Sequence, residues 1–136
     1  RSSDLADDFV LRGFKLNDHF VNDPNNDWKH QGMLFGSTFI GYNEYGVSVD
    51  KKNLINRVLL NIYTPTRRGI AMGDTKYLLL FVYGMPTRIV ESTTNAGTST
   101  VYEYKNPAAS DSYLQFALDD KNQYIKSVML SDRPVK

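Results

Sequence analysis

Gly13-Phe14-Lys15-Leu16-Asn17-Asp18 and Gly69-Ile70-Ala71-Met72-Gly73-Asp74 share one pattern: Gly, apolar, any residue, Leu or Met, Asn or Gly, Asp. A second echo follows each copy. Val47, Val49, Asp50, Ile55, Val58 and Leu60 match Phe116, Leu118, Asp120, Ile125, Val128 and Leu130, with one residue of slippage at the turn. Self-similarity at a fixed offset is the mark of a repeated structural unit. The expectation is one domain, residues 1–136, built of two diverged units at about 13–63 and 64–136.

Working outward from the second copy, Asp74 to Gly84 is an apolar run whose punctuation favours a helix. Asp74 or Thr75 can accept from the free N–H groups of a first turn. Gly84 can take the left-handed conformation after the last turn, and Pro86 prevents continuation. Elsewhere the two-residue period dominates. Leu34–Tyr42, Tyr45–Val49, Ile55–Tyr63, Ile89–Ser92, Val101–Lys105, Tyr113–Leu118 and Tyr124–Leu130 read as strands, with turns at Lys51-Lys52-Asn53 and Asp119-Asp120-Lys121-Asn122. Leu5, Phe9 and Val10 suggest a short helical turn near the start. The fold class expected is α+β: a tandem repeat of helix plus antiparallel β-meander, with the helices on one face of the sheet.

The chain has 136 residues, an ordinary size for one domain, and is long enough to form a core without staples. Sixteen basic and fifteen acidic residues leave a net charge of +1, which gives no pull toward nucleic acid. With no cysteine, disulfides, thiol catalysis and thiolate metal sites are excluded. The longest apolar run, Tyr77–Tyr83, falls far short of the ~20 residues that span a bilayer. Arg1-Ser2-Ser3-Asp4 carries no leader and reads as the end of a tether, leaving an export signal or lipid anchor to lie upstream.

The segment Gly69 to Pro86, closing on Tyr83-Gly84-Met85-Pro86, resembles a signature of small bacterial envelope domains: the BamE/SmpA-like and β-lactamase-inhibitor-protein-like folds and related Gram-positive lipoprotein domains. The resemblance covers 69–130 well. It covers 13–63 only through the Gly13–Asp18 phrase and the hairpin Tyr45–Leu60. The first unit lacks the Tyr-Gly-x-Pro element and carries the turn-forming Asn22-Asp23-Pro24-Asn25-Asn26 where a helix would stand. The resemblance implies an extracytoplasmic setting, a protein partner and a role as assembly factor, inhibitor or binding module. The matching residues are helix caps and stops, so none is implied to be catalytic.

Each candidate for chemistry has a plainer reading. Asp23, Asn25 and Asp27 have the spacing that opens a calcium loop, but Trp28 stands where such a loop needs Gly and Leu34 where it needs Glu. An Asx-rich turn is the better account, and no metal or cofactor is expected. His30 lies near Asp27, and His19 lies eleven residues before His30, yet no nucleophile elbow surrounds Ser37. The acidic pairs Asp7-Asp8 and Asp119-Asp120 are adjacent residues whose side chains diverge, unlike carboxylates facing across a cleft. Arg67-Arg68 and Lys51-Lys52 are pairs beside turns, too few for a phosphate-tracking surface.

The aromatic residues carry the functional expectation. Nine Tyr, seven Phe and one Trp are present. Tyr102 and Tyr104, two apart, share one strand face. Exposed Tyr and Trp are common anchors of interfaces. We therefore expect a non-enzymatic binding or assembly module that takes a protein partner on Trp28, Tyr42, Tyr45, Tyr102 and Tyr104, or on the loops between strands. Two alternatives stand beside it. One is an inhibitor of an envelope enzyme, presenting Asn22–Asp27 or a concave sheet. The other is an enzyme of wall polymers, which would need a concave pocket with two convergent carboxylates or a histidine of shifted pKa.

Overall fold

The computed structural model describes residues 2–21, 30–34, 37–42, 44–61, 64–95 and 97–136. A 3-10 turn, Ser2–Asp8, leads into the first unit. Four strands follow: β1 (His30–Leu34), β2 (Ser37–Gly41), β3 (Tyr45–Val49) and β4 (Ile55–Leu60). The second unit opens with α1 (Lys76–Tyr83) and continues as β5 (Arg88–Thr94), β6 (Gly97–Lys105), β7 (Tyr113–Leu118) and β8 (Ile125–Ser131). All eight strands join one antiparallel sheet in the order β1-β2-β3-β4-β8-β7-β6-β5.

The expected α+β class with helices across a sheet face is therefore overturned: the protein is mainly β. Among the described residues there is one α-helix, of eight residues. Its ends are those the punctuation indicates. The Thr75 side chain accepts from Leu78 N–H, and Gly84 stops the helix at φ 80° while donating to the Leu80 carbonyl. The reason for the low helix content is local. Gly84 and Pro86 halt α1 after two turns, and after Asp18 the first unit has no apolar run at helical spacing that could replace it. The stretch Leu34–Tyr42 is not one strand either, since β1 ends at Leu34 and β2 starts at Ser37.

Each unit is a four-stranded meander, and the two meet through their last strands. In the β4–β8 seam Leu59 sits opposite Met129, Val58 opposite Leu130 and Leu60 opposite Val128. Under the repeat, Leu59 is the counterpart of Met129, so the register places a pseudo-two-fold axis between those two residues. The phrases that open the units also do the same job. Asn17 N–H donates to the Ile55 carbonyl and Ile55 N–H to that of Asp18; Gly73 N–H donates to the Ile125 carbonyl and Ile125 N–H to that of Asp74. Asn17 and Gly73 take φ of 71° and 96°, a left-handed step that Asn and Gly tolerate best. Both hairpins carry a register shift at matching places, Ser48/Val49 and Ala117/Leu118. The turn counterpart of Asp50 is Asp119, not Asp120. Asp50 Oδ1 accepts from Lys52 and Leu54 N–H, and Asp119 Oδ1 from Gln123 N–H.

One core lies on one face of the sheet, under the 3-10 turn, the opening phrases and α1. Val47, Val58, Leu114, Phe116, Val128 and Leu130 have no exposed surface. Rings extend it at both ends: Phe14, Phe20, Tyr42 and Tyr45 in the first unit, and Tyr83, Tyr104 and Phe116 in the second. The arginine before each phrase stacks on a tyrosine, Arg12 over Tyr45 and Arg68 over Tyr83, at 5.5 and 5.0 Å.

Candidate functional site

The four described tyrosines expected to form an exposed binding face are core residues. Tyr42, Tyr45, Tyr102 and Tyr104 are 4, 2, 5 and 1% exposed. The alternation Val101-Tyr102-Glu103-Tyr104 explains it. Glu103 cannot face a hydrocarbon core, so the strand turns its tyrosines inward, where ring area is buried most effectively. Tyr104 Oη donates to the Gly84 carbonyl at 2.7 Å, and its neighbour Tyr83 Oη donates to Thr66 Oγ1 at 2.8 Å. Burial holds both hydroxyls above the ordinary tyrosine value, Tyr83 at about 12. Trp28 and the Asp23/Asn25/Asp27 spacing lie outside the described residues.

The other candidate groups do not converge. His19 is exposed on the bridge to Leu54. Asp8 is buried, and its Oδ2 accepts from Arg68 Nε at 2.7 Å with Arg67 at 3.6 Å, while Asp7 is exposed. That ion pair ties the 3-10 turn to the joint before α1, and Arg68 also donates to the Val82 carbonyl. Asp119 is a turn residue whose pKa is lowered chiefly by the Gln123 N–H bond. Among the described residues, no three His, Asp or Glu side chains form a metal-holding group.

Among the described residues, two neighbouring exposed aromatic side chains lie instead on α1. Leu79 and Tyr83 face the core, while Tyr77 and Phe81, four residues apart on α1, and Met85, just past the Gly84 stop, are 73, 87 and 78% exposed. Leu78, also on α1, is partly exposed. Phe81 and Met85 also line a groove with Leu5 and Arg68. A helix apolar on all sides is normally buried. The signal is present in the sequence as Tyr77 and Phe81 at helical spacing, but a wholly apolar run reads as core.

The opposite face of the sheet carries a second feature. Segment 132–136 lies across it as a strap. Val135 N–H donates to Glu103 Oε2 at 2.7 Å, Gln115 Nε2 to the Arg133 carbonyl at 2.9 Å and Arg88 Nη2 to the Val135 carbonyl at 2.6 Å. Strap and sheet together line a partly open pocket of ≈ 410 Å³. Arg57 of β4 lines it and is buried by its neighbours. Burial lowers the Arg57 pKa, with Asp132 opposing that shift. The two-residue period that puts Val58 and Leu60 inward puts Arg57 and Leu59 on this face.

With both faces in place, the fold can be set beside known proteins. This chain resembles YjgB of Bacillus subtilis in fold. The crystal structure of that DUF4309 family protein matches over 97% of this chain and 93% of its own, at a TM-score of 0.50 and 16% sequence identity. No protein-family model and no curated protein matches the chain. Identity this low speaks to architecture alone. Among the described residues, no helix is long and apolar enough to cross a membrane.

Proposed function

We propose that this chain is a non-enzymatic binding module of a bacterial cell envelope, docking a protein partner on the outer side of α1. The observation that carries the reading is the exposed set Tyr77 and Phe81 on α1, whose inner side is already packed, with Met85 just past its end. With Leu78 it offers apolar surface on the order of 600 Å², large for a monomer's bare patch and somewhat below the ~800 Å² per partner of a standard interface. A transient partner, or one that also grips neighbouring loops, suits that size. A protein fits better than a lipid surface, because Lys76 is the sole charged residue within α1 and the nearby Arg68 is committed to Asp8. Lipid docking calls for several free cations around the apolar ridge. The envelope setting rests on the resemblance of Gly69–Pro86 to envelope-domain signatures. The non-enzymatic reading rests on the structural work done by Asp8 and Asp119.

The test is a photo-crosslinking amino acid at Phe81, with Lys51 in the β3–β4 turn as the control position. A single stoichiometric protein adduct from 81 and none from 51 is expected. Phe81→Ser with Met85→Ser should weaken capture of that protein more than about tenfold while moving stability by no more than about 0.5 kcal/mol. Adducts only to lipid, or undiminished capture by the double variant, would overturn the reading. If the captured protein is an enzyme, assaying it with and without this chain separates an inhibitor from a scaffold.

A further inference from the structure

We propose that the pocket lined by strap 132–136 and the sheet binds a long-chain uncharged amphiphile, held by its apolar body. The site lies on the face opposite α1 and does not rest on the docking reading above. Three observations carry it. The first is form. The lining comes from β4 (Arg57), β8 (Met129), β7 (Ala117), β6 (Val101) and β5 (Ser92), which are neighbours in the sheet. At ~4.8 Å per strand the pocket runs on the order of 19 Å across them, which suits an elongated guest. Its volume of ≈ 410 Å³ lies within the range of ligand sites. At ~30 Å³ per water it has room for roughly fourteen waters, or a chain of about ten carbons with its head group. The pocket is partly open, so a guest enters with the strap in place.

The second observation is that the walls are fixed before any guest arrives. Asp132 N–H donates to the Asn56 carbonyl and Arg133 N–H to Ser131 Oγ, each at 3.1 Å. Gln115 Nε2 donates to the Arg133 carbonyl, and Val135 N–H to Glu103 Oε2. The strap is thus tied to β4, β8, β7 and β6 in turn. A preformed pocket spares its ligand the cost of ordering it. The third is the chemistry of the lining. Val101, Ala117 and Met129 on the sheet, with Pro134 and Val135 on the strap, make the walls mainly apolar. The charges of this face are answered within the protein. Asp132 acts on Arg57 and lies 3.7 Å from Arg133, and Arg57 is engaged further. Glu103 has Arg88 at 3.6 Å and accepts from Val135 and Gln115. Lys136, the remaining cation of the lining, is exposed to water. An ionic head would give up its hydration here and find those charges already matched. A hydroxyl head gives up far less, and Ser92 and Ser127 of the lining carry hydroxyls that can meet it.

The test uses N-phenyl-1-naphthylamine, an uncharged probe whose fluorescence rises in apolar surroundings. Its competitors share one chain length and differ in the head: decanol, decanoate and decyltrimethylammonium, each below its micelle concentration. The whole chain should bind the probe one to one, and decanol should displace it at least about tenfold more effectively than either ion. Ala117→Leu fills the floor at a half-buried position and should abolish binding of probe and decanol. Val135→Ser keeps the strap's backbone bonds, and trimming that wall should weaken decanol about fivefold, a readout that stands even if Ala117→Leu does not fold. Phe81→Ser with Met85→Ser should leave probe binding unchanged. No binding by the parent chain, equal or better displacement by either ion, undiminished binding in Ala117→Leu or in Val135→Ser, or loss of the probe in the Phe81 and Met85 double variant would each overturn the proposal. Crosslinking at Phe81 reads the other face, so the two proposals fail separately.

Discussion

The Tyr104 hydroxyl donates to the Gly84 carbonyl at 2.7 Å, and its ring meets Phe116 edge-on with centroids 5.8 Å apart. One side chain thus joins β6, β7 and the end of α1. Tyr104→Phe should cost about 1–2 kcal/mol, the loss of one buried hydrogen bond, and Tyr104→Ala about 3–5 kcal/mol, both read by urea unfolding. An exposed anchor would lose almost nothing. Tyr83 gives a pH signature of the same burial. Its folded pKa is raised to about 12, first by desolvation, with the Thr66 hydrogen bond opposing. In the unfolded chain a tyrosine titrates near 10. Between about pH 10 and 12 the unfolded state loses a proton that the folded state keeps. The stabilising contribution is therefore intact below pH 10 and is lost as pH rises through the folded value, with a slope up to ~1.4 kcal/mol per pH unit. Alkaline unfolding curves should flatten measurably in Tyr83→Phe. Why the tyrosines were misplaced is clear at this scale. A strand's period tells which residues share a face, but for Tyr, apolar in the ring and polar at the tip, it does not tell which face is inside.

At the scale of elements, the hairpins and α1 follow local rules, and their ends were legible. Thr75 and Gly84 cap the helix as the sequence indicates, and β3, β7 and their turns fall where alternation and Asx residues put them. Packing between strands was less legible. Gly46 sits on β3 with the Phe39 ring of β2 lying where its Cβ would be. The ring covers a bare stretch of backbone, so Gly46→Ala must displace it or spread the β2–β3 pair. A loss of about 1–3 kcal/mol is expected by thermal or chemical unfolding, with Phe39→Ala in the same background recovering part of it. If Gly46→Ala is neutral, the ring is free to swing aside. The helix ridge belongs here too. Its apolar residues at four-residue spacing were visible, yet only placing α1 against the sheet shows that Leu79 and Tyr83 take the inside and leave Tyr77, Phe81 and Met85 in water.

At the scale of the whole molecule, two meanders join through β4 and β8 about an axis between Leu59 and Met129. The core crosses this seam, with Val58 and Leu60 on one side and Val128 and Leu130 on the other, all buried. Residues 64–136 expressed alone would expose the edge of β8, an open row of hydrogen-bonding groups beside bare apolar side chains. Because the seam is antiparallel and nearly self-matching, that fragment should pair β8 with β8 and sediment as a dimer. Adding residues 1–63 should convert it to a one-to-one complex. A monomeric fragment with the unfolding transition of the intact chain would contradict the shared core.

The chain's own order of residues determined the repeated phrases, the caps of α1, the Asx turns and most of the strands, since each depends on neighbours a few positions apart. It also excluded disulfide and thiolate chemistry. Only the tertiary structure decided that the class is mainly β, that the strand tyrosines are core, that α1 shows an apolar ridge and that strap 132–136 and the sheet line a pocket beside Arg57. Each of these depends on which face of an element meets another element far away in sequence. That choice is settled by packing area and by where polar groups find partners, and local periodicity is the same for either outcome.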